Sequence, residues 1–338
     1  MAARNLEEKR ALETAETARE KDWRQPSLVS EMFMGRLKTD LVFPFPEQDE
    51  PDREAGDAIL DRLEIFLAET VDADRIDRDK EIPDEVIDGL RELGLFGIKL
   101  PVEYGGLGLS QVNYNRIVQM VASHCASTAV LLSAHQSIGV PQPLKLFGSD
   151  AQKKKYLPRL AKGAISAFAL TEPDVGSDPS KMKTTATLVD DGKAYLINGD
   201  KLWISNGPVA DLLIVMARSN DPAEERPEIT AFIVDGKAPG LTTEHRCDFM
   251  GLKGLQNGLL KFDNVRVASE DIVEGVGRGL SLALRTLNTG RLTLPAACGG
   301  AMKQTLAICR RWANDRRPTS RCGCGSSRVS WGRSGACC

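Results

Sequence analysis

The stretch that decides the fold is Phe168-Ala169-Leu170-Thr171-Glu172-Pro173-Asp174-Val175-Gly176-Ser177-Asp178. It leaves a predicted strand at Leu170 and enters a loop whose backbone is shaped by Pro173 and Gly176. Thr171 and Ser177 place hydroxyl groups on that loop, where N–H and O–H donors can bind an anion or the edge of a heteroaromatic ring. Taken alone, the stretch is more typical of a polar β-turn than of a binding site.

A second stretch, Lys201-Leu202-Trp203-Ile204-Ser205-Asn206-Gly207, lies on the following predicted strands. Trp203 and Ser205 set an aromatic face beside a hydroxyl donor, which is what a flat isoalloxazine ring needs. A single tryptophan in a strand is usually part of a core. The two stretches together therefore favour a flavin site over two unrelated turns.

Upstream of these stretches the chain has helical periodicity. The last of the predicted helices ends near Lys162-Gly163, which supplies a basic last turn and a terminating glycine. Closely spaced glycines in residues 100–108 predict a tight loop between two helices. We expect a helical domain over residues 51–163. Its predicted helices cover residues 59–66, 86–93, 114–132 and 151–160.

The first 50 residues form a separate polar segment, interpreted as an extended arm. Its run Val42-Phe43-Pro44-Phe45-Pro46 excludes regular helix and central strand, because proline lacks the N–H donor. Residues 1–24 are rich in Glu, Lys and Arg and lack the apolar core of a signal peptide. Export is therefore not expected.

Downstream the period changes to short strands over residues 164–270. Asp191-Gly192 and Asn198-Gly199 are hairpin signals between them. A small β-barrel or sandwich fits this spacing. The predicted strands cover residues 166–170, 184–189, 194–197, 212–217, 229–234 and 259–267.

A second helical region is predicted from Leu280 to about Trp312, within a segment over residues 271–317. The preceding turn Gly275-Val276-Gly277-Arg278-Gly279 only loosely matches a dinucleotide-binding fingerprint, since a further glycine is missing and no strand-turn-helix unit is evident. A nicotinamide-type site is therefore not expected there.

Composition excludes several classes of protein. The 338 residues carry a formal net charge of −3, which gives no basic excess for nucleic acid or anionic lipid. No run of about 18 apolar residues occurs, so no transmembrane segment is predicted. We expect a multidomain protein of the cytoplasm, without disulfides.

Four of the eight cysteines, Cys322, Cys324, Cys337 and Cys338, crowd into residues 318–338. This tail has no periodicity and is interpreted as an aberrant segment translated out of frame. Zinc would need spaced ligand pairs and usually a histidine, neither of which the tail offers. No metal site is predicted.

The two stretches that open this section resemble the paired flavin signatures of acyl-CoA dehydrogenases, and the likeness runs from Met32 to about Arg317. Val42-Phe43-Pro44, the run from Ala134 to Gly139 and Asn288-Thr289-Gly290-Arg291 look most like the very-long-chain branch. The resemblance implies an α+β multidomain fold with an N-terminal helical domain, a middle β-barrel or sandwich domain and a truncated C-terminal helical domain. It also implies FAD as cofactor, a fatty acyl-CoA as substrate, an electron-transfer flavoprotein as partner and a homo-oligomer.

Residue by residue, the resemblance places flavin contacts at Phe168, Leu170, Thr171, Gly176, Ser177, Trp203, Ile204, Ser205 and Arg316. Ser177 also borders the CoA part of the substrate. Asn288 and Arg291 occupy helix positions that reach CoA in the family, and their spacing of three puts them on one face. A solvated polar pair explains Asn288 and Arg291 equally well. His124, His135 and His245 are too scattered for a metal or a catalytic triad.

The α-proton of the substrate must be removed by a carboxylate base. In one arrangement of the family a Glu directly precedes the helix arginine matched by Arg291, but that residue here is Gly290. In the commoner arrangement the base lies in a later Tyr-Glu-Gly-Thr-like motif, which we do not find in this sequence. No catalytic residue is therefore assigned.

The resemblance leaves three functions open. The first is FAD-dependent conversion of a fatty acyl-CoA, expected to be long-chain, to the trans-2-enoyl-CoA. The second is an acyl-CoA oxidase, which would pass electrons to oxygen. The third is a catalytically silent fragment that binds flavin or acyl-CoA, which the unassigned base favours for this chain.

Overall fold

A computed structural model describes residues 26–220 and 228–316. Most of the predicted arm, residues 1–25, and the predicted aberrant tail with its four cysteines lie outside the described residues. In the described chain, eight α-helices precede the sheet: α1 Leu28–Phe33, α2 Glu50–Thr70, α3 Ala73–Asp79, α4 Asp84–Glu92, α5 Gln111–His124, α6 Ala126–Ser133, α7 Pro141–Phe147 and α8 Asp150–Ala161.

The helices begin and turn where the sequence supplies the right residues. Ser110 caps α5 by accepting a hydrogen bond from the Asn113 N–H, and Ser149 with Gln152 forms a capping box at α8. The glycine loop between α4 and α5 is confirmed, since Gly105 has φ +83° and permits a conformation that side chains disfavour. The α2, α4, α5 and α6 helices bury one apolar core around Leu63, Leu90, Tyr114 and Val121.

Two helical predictions are corrected. The long helix expected over 114–132 is divided into α5 and α6 at Cys125, whose φ of −145° is extended. Apolar residues continue on both sides of that break, so their periodicity could not reveal it. The expected extended arm contains the short helix α1, which Ser27 caps through the Ser30 N–H.

Among the described residues, the middle of the chain contains the strands β1 Ser166–Ala169, β2 Thr185–Val189, β3 Ala194–Ser205, β4 Leu212–Asn220, β5 Glu228–Asp235, β6 Leu241–Arg246, β7 Asn257–Ala268 and β8 Ile272–Val273. They form one mixed sheet in the order β6-β7-β3-β2-β4-β5-β8, with β1 beside β4. Strands β1 and β2 are parallel to β4, while the other pairs are antiparallel.

The sheet curls around its own core. The ring centroids of Tyr195 in β3 and Phe232 in β5 are 5.2 Å apart, although two strands separate β3 from β5 in the sheet order. A flat sheet would hold such strands about 14 Å apart, since neighbouring strands are about 4.8 Å apart. The opposite face, including Phe168 and Ile214, packs against helical residues such as Leu157. The curled sheet agrees with the predicted barrel or sandwich.

One predicted turn is wrong. Asn198-Gly199 does not close a hairpin but lies inside β3, where the register against β7 shifts between Ile197 and Gly199. Gly199 has φ +143°, and an added Cβ would lie 2.6 Å from Thr184 Oγ1. The glycine therefore serves a β-bulge. The apolar pattern of the sequence predicted neither β6, which is polar, nor β8, which has two residues.

The second helical region consists of two helices, α9 Gly279–Arg291 and α10 Leu294–Asp315. The expected single region is divided around Leu292 and Thr293, and Pro295 lies in the first turn of α10, where the N–H that proline lacks would have no partner within the helix. The glycine turn does follow a short strand, β8. A Cβ at Gly279 would lie 2.7 Å from the Thr230 backbone, so protein packing accounts for that glycine. None of the helices in the described ranges could cross a membrane.

Candidate flavin site

The pairing of β4 creates the loop that carries the first stretch. Strands β1 and β2 pair with successive parts of β4, residues 212–215 and 218–220. Residues 170–184 between them must therefore leave the sheet as a loop. A tight turn opens this loop, with reciprocal backbone hydrogen bonds of 3.0 and 3.1 Å between Glu172 and Val175.

The two stretches meet at the start of this loop. The Leu202 N–H donates to the Thr171 carbonyl oxygen at 2.9 Å, which joins the loop to β3. The Lys201 ammonium donates to the Leu170 carbonyl oxygen at 3.2 Å and to the Glu172 carboxylate at 2.8 Å. The residues predicted to form one site are thus adjacent in the structure.

Glu172 and Lys201 form a buried ion pair, with side chains 4% and 0% exposed. The Glu172 carboxylate also accepts hydrogen bonds from the N–H groups of Lys183 and Thr184 and from the Thr184 hydroxyl. Burial alone would raise the pKa of Glu172, but the Lys201 ammonium and these hydrogen bonds hold that pKa below its usual value. Glu172 thus joins the start of the loop to β3 through Lys201 and to the end of the loop through Lys183 and Thr184.

Trp203 stands out of the sheet at a bulge. The register between β3 and β7 shifts between Lys201 and Ile204, and Trp203 has φ +58°, which is uncommon for a residue with a side chain. Its side chain is 58% exposed. Bulges commonly redirect a side chain next to an active site. The exposed indole is available to stack against a planar ligand, while Ile204 beside it is buried in the sheet core.

Ser205 is held by a residue of the neighbouring strand. Asn257 lies opposite Ser205 in the β3–β7 register, and its Nδ2 donates to Ser205 Oγ at 3.0 Å and to the Trp203 carbonyl oxygen at 3.2 Å. Asn257 is buried, and its Oδ1 has no hydrogen-bond partner among the described residues. A buried amide thus supports both residues of the predicted ring site.

Asn206 anchors the end of β3 to the helical domain. It is fully buried with φ +63°, a conformation that Asn tolerates better than most residues. Its Nδ2 donates to the carbonyl oxygens of Leu131 in α6 and Ser166 in β1, at 3.1 and 3.2 Å. These bonds fix the position of the site against the helices.

The loop end of the site is open. Gly176 and Ser177 are exposed, and a methyl group added at Gly176 would meet no atom within 4 Å. No protein contact therefore requires a glycine at 176, whereas a closely approaching pyrophosphate would. Exposed hydroxyl and N–H donors on the loop and an exposed indole on β3 fit FAD. Phe168 is buried and Leu170 half-buried, so they would meet FAD through their backbone groups.

The other predicted ligand contacts lie on the last two helices. Asn288 and Arg291 are exposed on α9, and the Arg291 guanidinium donates to Asn288 Oδ1 at 2.9 Å. Arg316 lies at the end of α10, where its guanidinium stacks 4.6 Å from the Trp312 ring centroid. The assignment of these three residues to CoA or FAD stays a prediction.

Position 290, the alternative place for a base, is closely packed. A Cβ at Gly290 would lie 2.6 Å from Ile138 Cγ2. A carboxylate side chain there would require Ile138 to move. Elsewhere in residues 26–220 and 228–316, no group of three or more His, Cys, Asp or Glu side chains is placed to hold a metal ion.

His135 has a structural position. It lies in the π-helical turn Ala134–Ile138, where its Nε2 bonds to the Phe96 carbonyl oxygen at 3.0 Å and its Nδ1 accepts from the Ser166 N–H at 3.2 Å. Since a carbonyl oxygen can only accept, the Nε2 nitrogen carries the proton. Burial lowers the pKa of His135 to about 4, opposed by the bond to Phe96.

The residues that hold the candidate site in place were not predicted from the sequence. Glu172 and Lys201 stand within the two stretches, but only the fold shows that they pair. Asn257 had no local signal, since it lies 52 residues from Ser205 and meets it through strand register. The only sign in the sequence of a special role for Asn257 is that a polar residue begins an apolar strand pattern.

Comparison with known proteins follows the same division of the chain. Residues 53–164 match the family model of the acyl-CoA dehydrogenase N-terminal domain, and residues 167–265 match that of the acyl-CoA dehydrogenase middle domain. The first match covers the helices α2 to α8, and the second covers both stretches of the candidate site.

Among curated relatives, the probable acyl-CoA dehydrogenase FadE10 of Mycobacterium tuberculosis (strain ATCC 25618 / H37Rv) is 51% identical over 309 residues, covering 91% of this chain and 47% of the relative. The very long-chain specific acyl-CoA dehydrogenase of Homo sapiens, a mitochondrial protein, is 40% identical over 282 residues, covering 82% of this chain and 43% of the relative. The chain thus spans about half the length of the curated relatives it matches.

Solved structures agree in fold. The butyryl-CoA dehydrogenase of Megasphaera elsdenii superposes with a TM-score of 0.74 and 34% identity, covering 82% of this chain and 72% of that chain. An acyl-CoA dehydrogenase of Bacillus anthracis, solved as a complex with FAD, gives a TM-score of 0.74 and 32% identity, covering 84% of this chain and 48% of that chain. By sequence and by fold, this chain belongs to the acyl-CoA dehydrogenase family.

Proposed function

We propose that this chain binds FAD and a fatty acyl-CoA for α,β-dehydrogenation of the acyl group to a trans-2-enoyl-CoA. The observation that carries the proposal is the junction of the two stretches. The Leu202 N–H to Thr171 carbonyl bond brings the donor-bearing loop beside the exposed Trp203 and the oriented Ser205. The family membership and the FAD complex of the relative from Bacillus anthracis support the same cofactor.

The chain would bind FAD through two sets of groups. Thr171 and the backbone of Phe168 and Leu170 would line the flavin edge, with Gly176 and Ser177 at the pyrophosphate. Trp203 would stack on the ring, and the Ser205 hydroxyl would donate to its edge. Bound FAD would supply the hydride acceptor. The protein groups orient the ligand and exclude water from one of its faces.

Asn288 and Arg291 would contact CoA, because a guanidinium suits phosphate and the two side chains are hydrogen-bonded on one face of α9. We further propose a long acyl chain, since a relative is named as very-long-chain specific. Electron-transfer flavoprotein as the electron acceptor and a homo-oligomeric assembly belong to the same proposal.

For these 338 residues by themselves, we propose binding of FAD and acyl-CoA without appreciable turnover. Position 290 is glycine and closely packed against Ile138, so it offers no base. The Tyr-Glu-Gly-Thr motif of the commoner arrangement does not occur in the 338 residues. Removal of the α-proton without a positioned base is expected to be slower by a factor of about 10² to 10⁴.

The test is anaerobic titration of the FAD-loaded chain with a long-chain acyl-CoA, followed by visible absorption. We expect the flavin bands to shift as acyl-CoA binds but not to bleach rapidly. Rapid bleaching would show that a carboxylate of this chain supplies the base, and would refute the silent state while supporting the dehydrogenase. NAD serves as a control ligand and is expected not to compete with FAD. Fast reoxidation of a reduced sample in air would favour an oxidase.

A further inference from the structure

Asn257 is outside the flavin signatures, yet its buried amide touches both residues of the proposed ring site. We propose that Asn257 is a positioning residue that fixes the Ser205 hydroxyl as a hydrogen-bond donor toward the flavin ring. This inference rests on the proposed FAD site and assigns a direction to one of its hydrogen bonds.

The orientation of the amide follows from its partners. The Trp203 carbonyl oxygen can only accept a hydrogen bond, so the Asn257 group 3.2 Å from it must be the NH₂ group. The rotated amide would set two acceptor oxygens against each other. The amide nitrogen has two protons, and the second points to Ser205 Oγ at 3.0 Å.

The direction of the Ser205 hydroxyl follows in turn. Because the Asn257 NH₂ group only donates, Ser205 Oγ must be the acceptor in their bond. The hydroxyl proton of Ser205 is then left for another acceptor, and no residue in the ranges 26–220 and 228–316 accepts it. Ser205 is half-buried at the end of β3, two residues after the exposed Trp203, so the remaining acceptor is a ligand or solvent.

The fold alone does not account for this amide. Asn257 is 4% exposed, and its Oδ1 is buried without a partner among the described residues. Buried polar atoms without a partner are rare in native proteins, and a functional role is one of the explanations for them. Asn257 also donates a hydrogen bond to the Trp203 carbonyl oxygen at the bulge. One side chain therefore fixes the backbone that carries the indole and makes the Ser205 hydroxyl a donor toward the ligand.

The test is a double-mutant cycle on FAD affinity, measured by flavin fluorescence with the purified chain. Asn257→Asp replaces the donor with a group that only accepts, which would turn the Ser205 proton away from the ligand. We expect about tenfold weaker FAD binding and a shifted flavin absorption band. In a Ser205→Ala background the same change should weaken binding clearly less, because the contribution of the hydroxyl is gone and only the bond to the Trp203 carbonyl oxygen is still lost.

Asn198→Asp is the matched control, because Asn198 also bridges β3 and β7 but lies at the far bulge, where it bonds Asn264. It should leave FAD affinity unchanged. If Asn257→Asp does not fold, Asn257→Ala enters the same cycle. Equal losses in the Ser205 and Ser205→Ala backgrounds would overturn the positioning role while leaving the FAD site intact. Absence of FAD binding by the folded parent chain would instead refute the proposed function.

Discussion

At the scale of single residues, the candidate site depends on conformations that only a few side chains adopt. Trp203 and Asn206 both have positive φ. The Trp203 indole is exposed, whereas the Asn206 amide is fully buried. Gly176 is different, because its φ is ordinary and its surroundings are open. The absence of a side chain at Gly176 is therefore expected to affect ligand binding and not the stability of the fold.

Gly176→Ala tests this distinction. We expect the unfolding free energy to change by less than about 0.5 kcal/mol, since the added methyl meets no protein atom. FAD binding should weaken by about tenfold, because the methyl would stand where the pyrophosphate approaches. Isothermal titration and urea unfolding measure the two quantities. Gly251→Ala is the control, since Gly251 is equally open but outside both stretches. Equal FAD affinity for both variants would contradict the assignment of Gly176.

His135 predicts how stability depends on pH. Its pKa is about 4 in the folded chain and about 6.5 when unfolded, so the unfolded state binds a proton that the folded state does not bind between these values. The stability from this group is present above pH 6.5 and is lost as pH falls toward 4, by about 3 kcal/mol in all. The unfolding free energy, measured with urea at several pH values, should fall less steeply with decreasing pH for His135→Gln than for the parent. An unchanged slope would show that another group causes the dependence.

At the scale of elements, the site is made by strand pairing more than by the loop sequence. Because β1 and β2 share one edge of β4, residues 170–184 leave the sheet as a loop. The Glu172–Lys201 pair then ties this loop to β3. Glu172 and Lys201 are 29 positions apart in the sequence, and their contact joins the two stretches into one site.

Lys201→Met tests the tie between loop and strand. Removing the ammonium leaves the Glu172 carboxylate buried without its counter-charge, so we expect a loss of about 3–5 kcal/mol of unfolding free energy. Adding Glu172→Gln to Lys201→Met should restore part of the lost unfolding free energy. Lys183→Met, which breaks an exposed pair with Asp174, should cost less than about 1 kcal/mol. Urea unfolding that gave Lys201→Met and Lys183→Met the same stability would disprove the role of the buried pair.

Periodicity in the sequence predicted the type of most elements but not where they break. The helix α8 and the strands β2, β4 and β5 lie within a few residues of their predicted positions, because each has a regular apolar pattern and clear ends. The breaks at Cys125 and before Pro295 interrupt continuous apolar patterns. Asn198-Gly199 has the composition of a hairpin turn, but pairing with β7 absorbs it as a bulge. At Asn198-Gly199, tertiary pairing therefore overrode the local signal.

At the scale of the whole molecule, the last described helix, α10, carries a set of exposed apolar side chains. The α10 helix packs on α5 but leaves Met302, Leu306, Ile308 and Trp312 more than half exposed. Large exposed apolar patches mark association surfaces, so these four side chains make α10 a candidate for one. The surface is remote in sequence from both flavin stretches.

We therefore expect the purified chain to self-associate with increasing concentration. Sedimentation velocity should show a rising average mass for the parent, and Leu306→Lys should reduce it because a charge would be buried on association. Lys303→Arg, one turn earlier on the same helix, is the control with conserved charge. A monodisperse monomer at all concentrations would contradict this expectation.

The loop after β1 and the bulge of β3 are proposed to bind FAD together. The most direct measurement is the visible absorption spectrum of the purified chain after it has been loaded with FAD and desalted, with circular dichroism to establish that the chain is folded. We predict that flavin stays with the protein and that Ser205→Ala and Trp203→Leu lose it more readily. A folded parent chain that retained no flavin would contradict the claim.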